Sequence, residues 1–157
     1  MKSPTSRFDL DRSIAFLVYR AHQRALAEYR RALEPAGLTP QQFGLLALLY
    51  ERDGQRQAEL CVRGATDPNT MVGLIDRLTA LGLVQRRRDP GDRRAHLIFL
   101  TPAGRRTFRR WLPAQRRAGS RCWQALTRAE QQRLRELLLK VLQPKGNTRR
   151  GGSSGHG

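Results

Sequence analysis

Three dipeptides, Thr39-Pro40, Asp67-Pro68 and Thr101-Pro102, constrain the layout of the chain more than any other feature. In each, a residue able to cap a helix precedes a proline. The fixed φ and missing N–H of proline suit the first helical position and break later ones. Helices are therefore predicted to start at all three points. The stretch LTPQQFGLLALLYE adds Gln42 three residues after Thr39, a capping box, so a helix is expected over 40–51. After Asp67 and Pro68, residues Met71, Leu74, Ile75, Leu78 and Leu81 recur at helical spacing, predicting a helix over 68–81 that ends at Gly82. Between these two, QAELCV reads as a short helix that Gly64 should shorten, and DGQ at 53–55 reads as a turn.

Residues 83–88 and 94–100 alternate like strands around the turn DPGD, and a lone hairpin must lean on a helical core. Outside this block, a first helix is expected over 10–34, stopped by Pro35 and Gly37. A helix from Pro102 should run towards Trp111 and Leu112, where Pro113 kinks or breaks it; a further helix reaches Trp123 and Leu126. Thr127 and Glu130 form a second capping box for a last helix using Leu134, Leu137, Leu138 and Val141. The fold class is thus mainly α with a small β-hairpin. Two short helices followed by a hairpin are the parts of a winged helix-turn-helix, expected over 38–101, with helical regions at 10–36 and 102–143. Residues 1–9 and the tail 144–157 carry too few apolar side chains to pack and are expected to be flexible.

Five arginines crowd the hairpin turn in RRRDPGDRRAHLIFL, and the whole chain carries 30 Lys+Arg against 13 Asp+Glu, a net charge of +17. Such an excess fits a polyanionic partner, and double-stranded DNA is the expected one. An arginine-biased composition, with lysine only at positions 2, 140 and 145, is the bland explanation of part of the count. On the helix from Pro68, Asn69, Thr70, Gly73 and Arg77 lie off the apolar stripe, where asparagine can pair with adenine and threonine can meet a thymine methyl. Asn69 and Thr70 can equally be no more than first-turn decoration, and Met71 can face a base or the core. Of the strand arginines, Arg86 and Arg88 are candidates for phosphate. Arg93 and Arg94 at the loop tip suit the minor groove, with Asp92 able to orient a guanidinium. Asp89 can close the turn by accepting from its own backbone.

The stretch DRLTALGLVQRRRDPGDRRAHLIFLTPAG, preceded by LTPQQFGLLALL and DPNT, resembles the MarR family of bacterial transcriptional regulators, and the likeness extends over about residues 10–142. The resemblance implies a homodimer built from the first helix and the last two, and a pseudo-palindromic operator. It makes the helix Pro68 to Leu81 the recognition helix, with Pro68, Asn69, Thr70 and Met71 at its entering end. It makes Asp89 to Arg94 the wing, with Arg94 as the minor-groove arginine oriented by Asp92. It also implies release by a small aromatic acid or phenol, for which Tyr19, Arg20, His22 and Phe43 are candidates.

Other functions find little support. The two cysteines, Cys61 and Cys122, read as small buried hydrophobes rather than a redox pair, and the first helix contains none. Three histidines without metal-ligand spacing, and no nucleophile or phosphate-loop motif, argue against an enzyme, a metal or a cofactor. The longest mostly apolar run, FGLLALLY, is far below the roughly 20 residues a bilayer demands, so a soluble cytoplasmic protein is expected. Non-specific nucleic-acid coating, the architectural alternative, fits the charge but lacks aromatics in the basic loop.

Overall fold

The structure, a computed structural model, describes residues 9–143, without the side chain of Arg93. The expectations for both chain ends therefore lie outside the described residues, except that Asp9 caps a 3-10 turn at Leu10–Arg12. The described residues form six α-helices and a three-stranded antiparallel sheet: α1 (Ile14–Leu33), α2 (Pro40–Glu51), β1 (Gln55–Arg56), α3 (Gln57–Gly64), α4 (Pro68–Ala80), β2 (Val84–Asp89), β3 (Asp92–Leu100), α5 (Pro102–Cys122) and α6 (Arg128–Leu142). The chain divides into a unit ending at Cys122 and a second, carrying α6, that begins at Trp123.

The predicted caps form. Thr39 and Gln42 bond each other's backbone at 3.2 and 2.8 Å, Asp67 accepts from the Thr70 N–H at 2.9 Å, and Thr127 pairs with Glu130. One core holds the first unit together. Leu45, Leu46 and Leu49 of α2 meet Leu60 of α3, Met71, Ile75 and Leu78 of α4, Val84 and Ile98 of the sheet, and Phe108 of α5. Ala25 of α1 and Ala118 and Cys122 of α5 are also buried, in the two helices that pack side by side. Burying such side chains contributes about 1.5–3 kcal/mol each for the larger ones.

Gly104 explains the glycine of the LTPAG segment. A Cβ there would sit 2.0 Å from the Leu83 carbonyl oxygen, so only glycine lets α5 start against the entry to β2.

Four expectations are corrected. Gln55 is not merely turn: it pairs with Ile98, and Arg56 after it with Leu97, as the third strand, in the order β1-β3-β2. Two residues are too few to show a period, and only their partner strand makes them a strand. Pro113 does not end its helix; α5 runs unbroken through it. Proline removes one bond to the carbonyl four residues back, and packing at Phe108 before it and Ala118 after it holds the helix together. Gly64 does not shorten α3 either. The helix includes it, and Ala65 takes the left-handed conformation with φ 47°. A Cβ at Gly64 would lie 3.4 Å from Leu48 Cδ1, an ordinary contact distance, so packing there does not demand glycine. Leu81, placed on the apolar stripe by spacing, is the exposed C-cap of α4.

Candidate nucleic-acid interface

Helix α4 presents two faces. Met71, Leu74, Ile75 and Leu78 are buried, so Met71 is a core residue and is not available to a base. Pro68, Asn69 and Thr70 are exposed on the first turn, and Arg77 is exposed about two turns later. Gly73 is half-buried, with nothing within 4 Å of where a Cβ would stand. The Asp67 carboxyl at the helix start is held below the usual carboxylate range, first by the Thr70 hydroxyl and next by the Thr70 N–H. Gln57 Nε2 donates to the Pro68 carbonyl at 3.4 Å, which ties the start of α3 to the start of α4.

The wing arginines have separate positions. Arg86 is paired with Asp76 of α4 at 2.6 Å, fastening β2 to the helix and neutralising its exposed carboxylate. The Arg87 guanidinium lies 5.0 Å from the centre of the Phe99 ring. Arg88 is exposed, and neither it nor Arg77 makes an ion pair among the described residues. Arg94 is 96% exposed at the wing tip, its Nε 3.8 Å from Asp92 Oδ1. Asp92 holds the wing more firmly through the backbone, accepting from the Arg94 N–H at 3.1 Å. The side chain of Arg93 lies outside the described part of the molecule.

Sequence reading missed Arg56. Its Nε and Nη2 donate to Asp89 Oδ2 at 2.8 and 2.5 Å, while Asp89 Oδ1 accepts from the Gly91 N–H at 2.9 Å. The Gly91 N–H, followed by Arg56, keeps the Asp89 carboxyl below the usual range. Asp89 thus closes the turn as expected and also anchors it to β1. No local pattern reveals this bond, because the partners stand 33 residues apart.

The four candidate ligand residues do not gather. Tyr19 and His22 are exposed on α1, and Arg20 pairs with Asp11 at 3.5 Å and lies over Phe16. Phe43 is buried, 5.0 Å from the Phe108 ring, and lines a cavity of about 280 Å³ between α1, α2 and α5. Tyr29, which spacing placed merely on the amphipathic helix, lines that cavity as well. Burial pushes the Cys122 thiol up, which opposes thiolate chemistry; Cys61 is half-buried against the core rather than fully so. No cluster of metal-ligating side chains occurs among the described residues. No described helix is long and apolar enough to cross a membrane.

A helix with a polar, exposed first turn, joined by an ion pair to a basic two-stranded wing, defines a winged helix-turn-helix DNA-binding protein. Residues 36–95 match the MarR family. The chain is 31% identical over 140 residues to the HTH-type transcriptional repressor NicR of Pseudomonas putida, covering 89% of both chains. Among solved structures, that of Bordetella bronchiseptica BpsR, whose DNA binding is regulated by 6-hydroxynicotinic acid, superimposes with a TM-score of 0.82. It is 29% identical, and the match covers 87% of this chain and 97% of that one. The repressor CouR bound to a 23-mer DNA duplex gives a TM-score of 0.80 at 29% identity, over 90% of this chain and 100% of that one. The chain belongs to the MarR family and is a transcription regulator, not an enzyme.

Proposed function

We propose that this protein is a cytoplasmic, dimeric repressor that binds a pseudo-palindromic operator and releases it when a small aromatic or phenolic ligand binds. The observation that carries the reading is the pairing of an exposed Asn69-Thr70 turn on α4 with an arginine, Arg94, that is 96% exposed on the adjacent wing. Asn69 and Thr70 enter the major groove and select bases, while Arg94 enters the minor groove, where narrow A·T tracts concentrate negative potential. Pro68, Gly73, Arg77 and Arg88 line the approach, with Arg77 and Arg88 on phosphates. Arg86 and Asp92 support the wing, Arg86 through its bond to Asp76, and Arg93 joins Arg94 as a minor-groove arginine.

Dimerisation is supported by apolar side chains that the monomer leaves in water. On α1, Ile14 is 79% exposed, with Leu17 and Val18 about half exposed; on α6, Val141 is 80% exposed beside Leu137, Leu138 and Leu142. Surfaces of this kind on a charged protein mark an interface. Two copies then set their α4 helices roughly 34–36 Å apart, one turn of DNA. Occupying a promoter in this way excludes polymerase.

The ligand reading is supported by the cavity at Phe43 and by relatives. BpsR responds to 6-hydroxynicotinic acid, and CouR of Rhodococcus jostii has been solved with p-coumaroyl-CoA. A ligand wedged between α1, α2 and α5 releases DNA by favouring a dimer with the wrong half-site spacing.

Fluorescence anisotropy against the DNA upstream of the gene and against a shuffled duplex, at about 150 mM salt, tests the reading. Preference for the upstream duplex by about 10³-fold or more is expected. Equal, steeply salt-dependent binding to both would favour the architectural alternative.

A further inference from the structure

We infer that Asp53 and Arg105, with Tyr50 and Arg109 beside them, form a positioning joint that fixes the end of α2 to α5 and thereby sets the half-site spacing the protein accepts. The inference rests on the dimeric, operator-binding reading and assigns the residues that hold its two recognition helices at one separation.

Helix α4 packs on α2, α3 and β2, whereas α5 packs on α1, α2 and β3. The exposed face of α1, with Ile14, Leu17 and Val18, is the proposed dimer contact, so α5 belongs to the dimer side of the chain. The placement of α4 relative to a partner copy is therefore passed through α2 and the sheet. Apolar contact, such as Phe43 on Phe108 at 5.0 Å, holds α2 against α5, but hydrophobic attraction has no direction. Packed helices joined only in that way can slide by small shears. Directional bonds are what fix their register.

Those bonds gather where α2 ends. Arg105 and Arg109 stand four residues apart on α5, so both face the same neighbour. The Arg105 Nη2 donates to Asp53 Oδ2, just beyond α2. The Arg109 Nε donates at 3.0 Å to the hydroxyl of Tyr50, on the last turn of α2, and the Tyr50 ring lies 4.6 Å from that of Phe108. The other oxygen of Asp53 accepts from the Leu100 N–H at 2.9 Å. One carboxylate thus joins the end of α2, the end of β3 and the first turn of α5. Gly54 lets the turn close this tightly: its φ is 66°, and a Cβ there would stand 2.8 Å from Phe99 Cε1. The Arg105 and Asp53 side chains are 41% and 25% exposed, and ion pairs this open to water add little to stability. Their effect is on the angle between the two helices.

The test uses the full-length protein and the operator mapped by footprinting in the DNA upstream of the gene. Competition anisotropy compares the full site, a single half-site, and full sites whose centres are lengthened or shortened by one base pair. Asp53→Asn keeps an oxygen for the Leu100 N–H and removes the ion pair; Arg105→Met removes the cation and keeps an unbranched stem. Each is expected to lower full-site affinity by roughly five- to tenfold, to leave half-site affinity unchanged and to flatten the dependence on spacing. The double variant should lose no more than either single one. Arg105→Lys should restore the spacing preference, because the pair uses one guanidinium nitrogen and a point charge can replace it. Urea unfolding confirms that the variants are folded, and if Asp53→Asn is not, Arg105→Met decides alone. Equal losses on half and full sites, or an unchanged spacing dependence in a folded variant, overturn the joint and leave the dimeric repressor standing. Unmodified protein that protects no site, or binds the half-site as tightly as the full one, overturns the dimeric operator reading and the joint with it.

Discussion

The Arg56 guanidinium and the Asp89 carboxylate join the strand before α3 to the turn of the wing, with Nε 2.8 Å from Oδ2. Asp89 spends its other oxygen on the Gly91 N–H, so one carboxylate both shapes the turn and fixes it to the body of the domain. The wing tip that carries Arg94 is therefore held through a residue of β1, outside the wing itself. Arg56→Gln should weaken operator binding, and combined with Arg94→Ala it should cost little more than Arg94→Ala alone. Competition anisotropy on the two single variants and the double variant measures that coupling; fully additive losses would separate Arg56 from the wing.

Arg94→Ala should lower operator affinity by about tenfold or more and reduce the slope of log K against log salt by about 0.9, the share of one phosphate-type contact. A titration at several salt concentrations reads both quantities. Unchanged affinity would remove the wing from the interface.

Asn69 and Met71 are two residues apart on α4 and should behave in opposite ways. Asn69→Ala is expected to relax preference at one base pair by about 1–3 kcal/mol while leaving stability alone. Met71, 1% exposed, should destabilise the fold by about 2–5 kcal/mol when cut to alanine, without altering which base is preferred. Urea unfolding and binding to single-base operator variants separate the two.

Leu17→Glu with Val18→Glu places charges on the exposed apolar face of α1. The expected product is a folded monomer by light scattering, with affinity for the full palindrome close to that for a half-site. A dimer of unchanged mass would exclude this face from the interface.

The carboxyls of Asp67, Asp89 and Glu130 are all held below their ordinary range, led by the Thr70 hydroxyl, the Gly91 N–H and the Thr127 N–H respectively. Carboxyls depressed in the folded state bind fewer protons than in the unfolded chain. Their contribution is complete above the unfolded values of about 3.9–4.3 and is lost as pH falls through the folded ones. The urea midpoint should stay level, as far as these groups set it, from pH 7 to about 5 and drop below about pH 4. Asp67→Asn with Asp89→Asn should flatten that drop.

The helices were legible because their signals are local. Thr39-Pro40, Asp67-Pro68 and Thr101-Pro102 each place a cap and a first residue side by side, and the structure starts α2, α4 and α5 at those prolines. Asn69, Thr70 and Arg94 were legible for the same reason, since helical spacing and a Pro-Gly turn are enough to put them in solvent. Pairing across distance was not legible. Gln55 and Arg56 become a strand only against Ile98 and Leu97, and Arg56 becomes an anchor only when Asp89 arrives beside it. Met71 became core because α2 and α3 close over its side of the helix. The ligand candidates show the limit most clearly. Tyr19, Arg20 and His22 stand near Phe43 in composition but not in the cavity, where Tyr29 joins it instead. By itself the sequence determined where helices begin, which turn carries the arginines and how large the positive charge excess is, because caps, turns and charge are written in a few residues at a time. Only the tertiary structure decided which arginines are tied and which are free, and which side chains enclose a cavity, because those depend on contacts between segments whose spacing no local rule encodes.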